Sequence, residues 1–377
     1  MSFSFIHTAD WQIGKAFAGF PADVAAALRD ARISAIDRIA EAAVRAGARH
    51  VLVAGDVFDA ETLAPKTVAQ AVARMARHQQ LTWHLLPGNH DAHRAGGLWE
   101  RLLRGGLPDH IRPVLTPQPI EIDKEIWLLP APLTGRATGS DPTLYMDAAA
   151  TPPGAIRIGL AHGSVRGFGS DQTASVHLSP SRAASAGLDY LALGDWHGCQ
   201  QAGAKTWYSG TPEPDRFIDN DPGFVLCAEL NGAGGPLVIG RVRTAKFEWK
   251  KRAISAVHGI ASVASELGRS ASGVPEHDTL VHVTLNGRVT AKVRQDIVGE
   301  LKGIEASYRH LDADLSGLVL ASTTGGLDQL VGMGDLKPIA ECLLALAADP
   351  AAPNAATATE ALALLLDLAA ETRGPAP

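Results

Sequence analysis

The chain has 377 residues, of which 46% are hydrophobic and 20% are charged, and its formal net charge is −6. This composition is typical of a globular protein of two or three domains and excludes a wholly disordered chain. The negative net charge excludes a protein that coats nucleic acid by bulk electrostatic attraction. Any contact with nucleic acid must therefore depend on a local patch, a metal or a partner.

The three cysteines, Cys199, Cys227 and Cys342, are widely spaced and include no CxxC pair. They indicate neither a disulfide framework nor a thiolate zinc site, which favours a reducing cytoplasm. The first residues lack the basic start and apolar run of a signal peptide. No stretch of about 18 apolar residues occurs that could span a membrane. We therefore expect a cytoplasmic protein with no membrane association.

The first part of the chain alternates strand-like and helix-like segments. In chain order, the pattern predicts strands over residues 3–8, 51–54 and 83–86 and helices over residues 22–46, 65–78 and 98–103. This order predicts an α/β sheet with helices packed on its faces. Further strands are predicted over residues 126–129, 156–161, 190–193, 206–208 and 224–229. Because few helices separate them, we expect a second and more antiparallel sheet.

The composition changes near residues 232–236 and again after Arg243. We therefore predict a first domain over residues 1–243. A strand over residues 279–285 and a helix over residues 291–301 predict a small α+β capping module within residues 244–330. Two helices rich in Ala and Leu, over residues 336–348 and 355–372, predict a C-terminal helical region over residues 331–377.

Five short polar motifs follow predicted strands. They are Asp10-Trp11-Gln12, Gly55-Asp56-Val57-Phe58-Asp59, Gly88-Asn89-His90-Asp91, Ala161-His162-Gly163 and Gly194-Asp195-Trp196-His197-Gly198. Sites in open α/β sheets assemble at the carboxyl ends of strands, so we expect these motifs to meet at one rim. Carboxylate, imidazole and amide groups suit cations such as Mn²⁺ or Mg²⁺. Two such cations about 3.5–4 Å apart can hold a bridging hydroxide for an in-line phosphoryl displacement.

The ordered set of D-x-Q, GDxxD, GNHD, a lone His and GDWH resembles the calcineurin-like metallophosphoesterases. The usual pattern of that family is DxH, GDxxD, GNHD, a lone His and GHxH. Two further segments, FIHTAD at residues 5–10 and WYSGTPE at residues 207–213, are similar to the SbcD-type DNA repair exonucleases, the nuclease subunits of SbcCD complexes. The resemblance covers residues 1–245. It implies a four-layer α/β/β/α metallophosphoesterase sandwich with a small α+β cap and C-terminal helices.

The resemblance also implies two divalent metal ions, with Mn²⁺ favoured and Mg²⁺ as the alternative. Asp10 and His197 would bind the first metal and Asp56 would bridge both. The second metal would be bound by Asn89 and His162, with a further ligand at Asp195. The whole candidate set of metal ligands is Asp10, Gln12, Asp56, Asn89, His162, Asp195 and His197.

The resemblance gives His90 the role of orienting the scissile phosphate and protonating the leaving oxygen. Either Asp59 or Asp91 would hold the His90 ring. The remaining candidates, His93, Arg94 and Arg216, are charged or titratable residues that could contact the substrate. For Arg216 the alternative is a surface ion pair with the adjacent Asp215, which would contribute little.

Two positions depart from the family pattern. Gln12 stands where the first motif has His, and Asp195 stands where the last motif has its first His. Both changes replace a nitrogen ligand by an oxygen, which should shift the preference from zinc towards manganese or magnesium.

The sequence thus predicts a hydrolase of DNA phosphodiester bonds, a DNA repair exonuclease or endonuclease that uses a hydroxide bridging two metals. Two alternatives remain open. One is a phosphodiesterase acting on small nucleotides or phosphoproteins, and the other is a degenerate, non-catalytic scaffold subunit for a coiled-coil ATPase. The expected partners are DNA and an SbcC-like coiled-coil ATPase, with a homodimer as a further possibility.

Overall fold

The computed structural model describes residues 2–168, 176–256, 263–267, 273–320, 336–349 and 353–366, except residues 356, 360 and 363. The chain divides into two compact units, Met1–Phe247 and Glu248–Pro377. The predicted helix over residues 355–372 lies partly outside the described residues.

In the part of the first unit that the structure describes there are fourteen strands. They are β1 (Ser2–Thr8), β2 (His50–Val53), β3 (Thr82–Leu85), β4 (Ile111–Pro113), β5 (Ile120–Asp123), β6 (Ile126–Ala131), β7 (Ile156–His162), β8 (Ser164–Val165), β9 (His177–Leu178), β10 (Tyr190–Gly194), β11 (Gln200–Gly203), β12 (Thr206–Tyr208), β13 (Phe224–Asn231) and β14 (Leu237–Arg243). The helices are α1 (Ala22–Arg45), α2 (Pro65–Ala76), α3 (Leu98–Arg104) and α4 (Arg182–Ser185), with a 3₁₀ turn at Leu144–Asp147.

Helix α1 illustrates how the sequence sets an element. Its buried stripe includes Val24, Leu28 and Ile36, at spacings that keep one face on the sheet. The helix ends because Gly47 adopts a left-handed φ of 64°. The amides of Gly47 and Ala48 then donate to Val44 and Ala43, which satisfies the last carbonyls of the helix.

Six strands form the first sheet, in the order β14-β13-β1-β2-β3-β4. Strands β1 to β4 are parallel, whereas β13 and β14 pair antiparallel at one side. The parallel strands are joined by α1, α2 and α3, as the alternating sequence pattern predicts. Their carboxyl ends therefore lie along one edge of the sheet.

The second sheet also has six strands, in the order β11-β12-β10-β7-β6-β5. Strands β6, β7, β10 and β12 are parallel, and only the edge strands β5 and β11 pair antiparallel. The expectation of a more antiparallel second sheet was wrong. In the described residues the parallel strands here are linked by loops, short strands, a 3₁₀ turn and the four-residue α4. Those residues contain none of the long amphipathic helices that usually signal a parallel sheet.

Three apolar clusters separate four layers. Phe5, Leu52 and Leu160 belong to the cluster between the two sheets. The second cluster includes Ile36 of α1 and Met75 of α2 and lies on the outer face of the first sheet. The third cluster includes Leu191 and lies on the outer face of the second sheet, around α4. This arrangement confirms the predicted α/β/β/α sandwich.

The second unit contains a three-stranded parallel sheet in the order β15-β16-β17. The unit includes the strands β15 (Glu248–Ser255), β16 (Thr279–Val289) and β17 (His310–Leu320). It also includes the helices α5 (Val263–Leu267), α6 (Ala291–Glu305) and α7 (Leu336–Ala348) and a 3₁₀ turn at Glu276–Asp278. Val281, Ile297 and Leu318 share its apolar core. None of the helices in the described residues is both long and apolar enough to cross a bilayer.

Candidate metal centre

The polar motifs meet where the parallel strands of both sheets end. Asp10, Asp56 and Asn89 follow β1, β2 and β3, while His162 ends β7 and Asp195 follows β10. Backbone hydrogen bonds join the loops within each sheet, from Asp10 N to Gly55 O at 3.1 Å and from Gly163 N to Gly194 O at 3.1 Å. The edges of the two sheets therefore supply opposite sides of one site.

Asp10, Asp56 and His162 form a compact cluster in which one ligand atom from each lies within 4.8 Å of the other two. All three side chains are buried. A buried carboxylate incurs a large desolvation cost unless a cation or hydrogen-bond donors compensate it. This geometry is therefore that of a cation site, and its donors are oxygen and imidazole nitrogen.

The backbone at the site is strained. Seven non-glycine residues in the described part of the chain have a positive φ, and Asp10, Gln12, Asp56 and Asp195 are four of them. Such conformations cost about 1–3 kcal/mol each and persist only where the surroundings enforce them. The strained turns bring carboxylates from separate loops close together, which straight strand ends would not do.

Glycines allow the loops to touch the ligands. A Cβ on Gly55 would lie 2.2 Å from His162 Nδ1, and a Cβ on Gly88 would lie 2.1 Å from Asp56 Oδ1. Any side chain at these positions would push a candidate ligand aside. Packing therefore requires glycine in both GDxxD and GNHD, and at Gly55 the left-handed φ of 91° requires it as well.

The His162 ring is oriented with Nε2 towards the cluster. Its Nδ1 bonds to the Ala54 carbonyl at 2.8 Å, and its Nε2 lies 3.0 Å from Asn89 Oδ1 and 3.6 Å from Asp56 Oδ1. Burial alone would lower the pKa of His162, but the carboxylates of Asp56, Asp10 and Asp195 outweigh it and raise that pKa to about 9. The pocket thus attracts positive charge to the position of His162 Nε2.

Asp10 faces Asp195 across the site. Both Asp10 carboxylate oxygens accept a hydrogen bond from the Asp195 amide at 3.2 Å. Burial raises the pKa of Asp10 to about 6, although His197 and His162 oppose that rise. The Asp195 carboxylate is fixed by the Ser164 hydroxyl, which donates to Oδ2 at 3.0 Å.

His197 is held from behind by a buried carboxylate. Its Nδ1 lies 3.1 Å from Asp215 Oδ1, so Nε2 points towards the site. The Asp215 side chain is only 2% exposed and also bonds Lys15 Nζ at 2.6 Å. Burial opposes ionisation of Asp215, but its hydrogen bond and charge interaction with His197 and the cations Arg32 and Lys15 hold its pKa well below the usual range. Carboxylates commonly orient metal-binding imidazoles in this way.

The Gln12 side chain lies beside His197. Its amide Nε2 is 3.3 Å from His197 Nε2, and its Oε1 accepts from Lys15 Nζ at 3.2 Å. The structure therefore brings Gln12 to the site with its carbonyl oxygen already engaged.

His90 lies at the mouth of the site with 42% of its side chain exposed and Nε2 3.9 Å from Asp56 Oδ2. Its Nδ1 bonds to the backbone carbonyl of Asp59 at 3.0 Å. Of the two candidates for holding this ring, Asp59 therefore supplies the partner, but through its main chain. The Asp91 carboxylate faces the loop instead and accepts from the amides of Gly88 at 2.7 Å and Phe58 at 3.0 Å.

The three candidate substrate contacts lie outside the buried cluster. His93 Nε2 is 4.0 Å from Glu100, and the half-exposed Arg94 pairs with Glu61 at 3.2 Å. Arg216 is also half-exposed and lies 3.4 Å from Asp215. The structure brings only Arg216 into contact with a residue of the metal centre.

Sequence reasoning missed several residues that support the ligands. Tyr208 donates to the Gly163 carbonyl at 2.9 Å, and Thr211 donates to the Asp10 carbonyl at 2.9 Å. Both belong to the WYSGTPE segment, so the motif itself was the signal. Ser164, Lys15 and Asp215 had no comparable signal, because their contacts join residues far apart in the chain.

The donor set fits divalent cations. Burial and the neighbouring Asp56 raise the pKa of Asp91 to about 8, and burial raises that of Asp10, so anionic oxygens are crowded without enough positive charge. A cation among Asp10, Asp56 and His162 would relieve that crowding. Oxygen and imidazole donors, with no cysteine among them, suit Mn²⁺ or Mg²⁺.

The sandwich and its donor set define a metal-binding α/β protein with the site at the strand ends of its two sheets. The model of the family described as calcineurin-like phosphoesterase matches residues 3–199. That match spans more than half of the chain, and the chain belongs to the calcineurin-like phosphoesterase family. Membership confirms the predicted hydrolysis of phosphoesters with divalent metals.

Two further comparisons are less informative. No curated protein gives a significant match to the sequence. A crystal structure of TT1561 from Thermus thermophilus is similar with a TM-score of 0.39 and 13% identity, over 64% of this chain and 100% of that chain.

Proposed function

We propose that the protein hydrolyses phosphodiester bonds in DNA with two divalent metal ions, preferably Mn²⁺, as a DNA repair exonuclease or endonuclease. The observation that carries the proposal is the buried cluster of Asp10, Asp56 and His162 beside an accessible imidazole, His90. Hydrolysis of a phosphodiester needs stabilisation of negative charge and a proton for the leaving oxygen. Cations held by the cluster would supply the first, and His90 would supply the second.

The first metal is assigned to Asp10, Asp56 and His197. The second is assigned to Asp56, Asn89, His162 and Asp195. Two divalent cations, when bound, lower the pKa of water and stabilise the charge that develops on the phosphate. Support for the assignment comes from the orientation of the imidazoles, since His162 and His197 each use Nδ1 for a fixed partner and turn Nε2 inwards.

His90 is assigned the role of proton donor to the leaving oxygen. Because its Nδ1 is engaged by the Asp59 carbonyl, Nε2 is the nitrogen that can face a substrate. The Asp91 carboxylate holds the loop that carries His90, through the Gly88 and Phe58 amides. We keep three proposed contacts to the substrate backbone, namely His93, Arg94 and Arg216. Each side chain is at least partly exposed, so a substrate could reach it.

The preference for DNA is supported by the WYSGTPE segment. Tyr208 and Thr211 bond this segment to the loops of His162 and Asp10, so the feature that resembles the SbcD-type exonucleases is part of the site.

We extend the proposal to an SbcC-like coiled-coil ATPase as partner, because α7 exposes Ile339 and Leu346. The cytoplasmic assignment is supported by three cysteines that form no disulfide.

The test is a cleavage assay on linear double-stranded and single-stranded DNA with Mn²⁺, Mg²⁺ or EDTA. We expect Mn²⁺-dependent release of nucleotides or fragments, and none in the matched variant Asp56→Asn. Cleavage of bis-p-nitrophenyl phosphate without any cleavage of DNA would refute the DNA proposal and favour a small-molecule phosphodiesterase. Failure to cleave either substrate would favour a scaffold role.

A further inference from the structure

Four side chains at one end of the site form a closed ring of hydrogen bonds. Lys15 Nζ bonds Asp215 Oδ2 at 2.6 Å and Gln12 Oε1 at 3.2 Å. Gln12 Nε2 lies 3.3 Å from His197 Nε2, and His197 Nδ1 lies 3.1 Å from Asp215 Oδ1. Gln12, His197 and Asp215 are buried, and the Lys15 side chain is 29% exposed.

The chemistry of the ring fixes the role of each atom. An ammonium group only donates, so the Gln12 atom that faces Lys15 must be the carbonyl oxygen. The amide NH₂ of Gln12 therefore faces His197. Because His197 Nδ1–H donates to the Asp215 carboxylate, the His197 Nε2 lone pair accepts from Gln12.

That lone pair is the one that would bind the first metal. A cation at this position must displace the Gln12 amide from His197 Nε2. The Gln12 carbonyl could replace the missing histidine ligand only by leaving the Lys15 ammonium. Both events cost hydrogen bonds to groups that cannot bind the cation in return. At the second position His162 Nε2 also has a hydrogen-bond partner, but that partner is Asn89 Oδ1, an oxygen that can itself become a ligand, and Asp56 Oδ1 lies 3.6 Å away.

The charges act in the same direction. Lys15 is a fixed cation bonded to two residues that border the first position, so it repels a metal there. The Asp215 charge is shared among Lys15, Arg216 at 3.4 Å and Arg32 at 3.9 Å, so little of it remains to strengthen His197 as a ligand.

We propose that Gln12 is a positioning residue and not a metal ligand, and that Lys15, by holding it, makes the two metal positions unequal. The position bordered by Asp10 and His197 binds its cation weakly, whereas the position bordered by Asn89, His162 and Asp195 binds tightly. The inference rests on the proposed assignment of ligands to two metals, but it does not depend on DNA as the substrate.

The test measures Mn²⁺ binding to the full-length, EDTA-stripped protein. Free Mn²⁺ is counted by its electron paramagnetic resonance signal and binding is followed by calorimetry. The wild-type protein should show two classes of site whose dissociation constants differ at least tenfold. Gln12→Leu should leave the weak class unchanged or make it tighter, because it removes a competitor for His197 Nε2.

Lys15→Met should tighten the weak class by about tenfold and leave the tight class unchanged, since a nearby cation and its clamp on Gln12 are both removed. The matched control is Lys66→Met, which removes the same charge from an exposed position on α2. An unchanged tight class in each variant reports that the fold is intact.

Two equal classes in the wild-type protein would overturn the inference. A weaker first site in Gln12→Leu would also overturn it and would make Gln12 the ligand that the motif spacing predicts. Absence of any bound Mn²⁺ would overturn both this inference and the metal centre. Unequal classes with the expected response, in a protein that cleaves no DNA, would support the inference and refute only the proposed substrate.

Discussion

Replacing His84 by Gln should remove part of the acid sensitivity of the first unit. His84 lies on β3 with 2% exposure, and its Nε2 is 3.1 Å from His50 Nδ1 in a stacked pair of rings. Burial, followed by the charges of His50 and Arg112, lowers the pKa of His84 from 6.5 to about 3. The side-chain contacts of the two rings are to each other, to Phe3 and to Asp123, and none of these is a candidate metal ligand, so the expected effect is on stability.

The direction and the size of this effect on the free energy of unfolding follow from the linkage between proton binding and folding. Between pH 6.5 and pH 3 the unfolded chain carries a proton on this histidine and the folded chain does not. Stability is therefore full above pH 6.5 and falls as the pH decreases. At pH 5 the loss is about 2 kcal/mol, from 1.5 pH units at about 1.36 kcal/mol per unit. The size of this loss does not depend on the pKa of His84 in the folded protein, as long as that pKa stays below about 4.

The assay is urea unfolding at pH 7.5 and pH 5.0, followed by tryptophan fluorescence. The drop in unfolding free energy between the two pH values should be about 2 kcal/mol smaller in His84→Gln than in the wild-type protein. The matched control is His177→Gln, at an exposed position on β9, which should keep the wild-type pH dependence. Equal pH dependence in His84→Gln and the wild-type protein would refute the reasoning.

Three further predictions concern the metal centre. Asp56→Ala should lose both metals and all activity, because Asp56 is the proposed bridge; Mn²⁺-stimulated cleavage by that variant would contradict the assignment. His90→Ala should keep its bound Mn²⁺, measured by elemental analysis, but lose turnover by about 10²–10⁴-fold, whereas loss of the metal itself would make His90 a ligand. Gly194→Ala should cost about 1–3 kcal/mol and weaken metal binding, since its Cβ would lie 2.0 Å from Ala54 O and 2.8 Å from His162 Nδ1. In the control Gly139→Ala, where no atom lies within 4 Å, stability and metal binding should stay as in the wild-type protein.

The fold was largely predictable because its central strands are rich in apolar residues and buried on both faces. The four residues of β2 are all buried, as is every residue of β10, and such runs are visible in the sequence. Strand β14 was missed because none of its residues is fully buried and Gly240 interrupts its apolar residues. The parallel direction of the second sheet was missed because the described parts of its links contain no long helix, so the strand direction depends on packing that the sequence pattern does not encode.

The candidate ligands were predictable for a different reason. Each lies in a local motif at a strand end, so proximity in space follows from sheet topology. The sequence leaves Asp215 as a candidate for a surface ion pair, yet its side chain is 2% exposed and binds Lys15, which is 200 residues away in sequence. No spacing rule connects such residues, and only the fold brings them together.

The two departures from the family pattern fall on opposite sides of the site. Asp195 adds a carboxylate, fixed by Ser164, to the side that holds His162. On the side that holds His197, Gln12 stands in place of an imidazole, and its side chain bonds to Lys15, which adds a positive charge there. One substitution therefore strengthens one metal position with negative charge, and the other weakens its neighbour. Because Asp56 is assigned to both positions, a cation bound tightly beside His162 would neutralise charge that the position beside His197 needs. The sequence changes thus favour stepwise loading, in which the site near His197 fills only at higher metal concentration or when an anionic substrate adds its own charge.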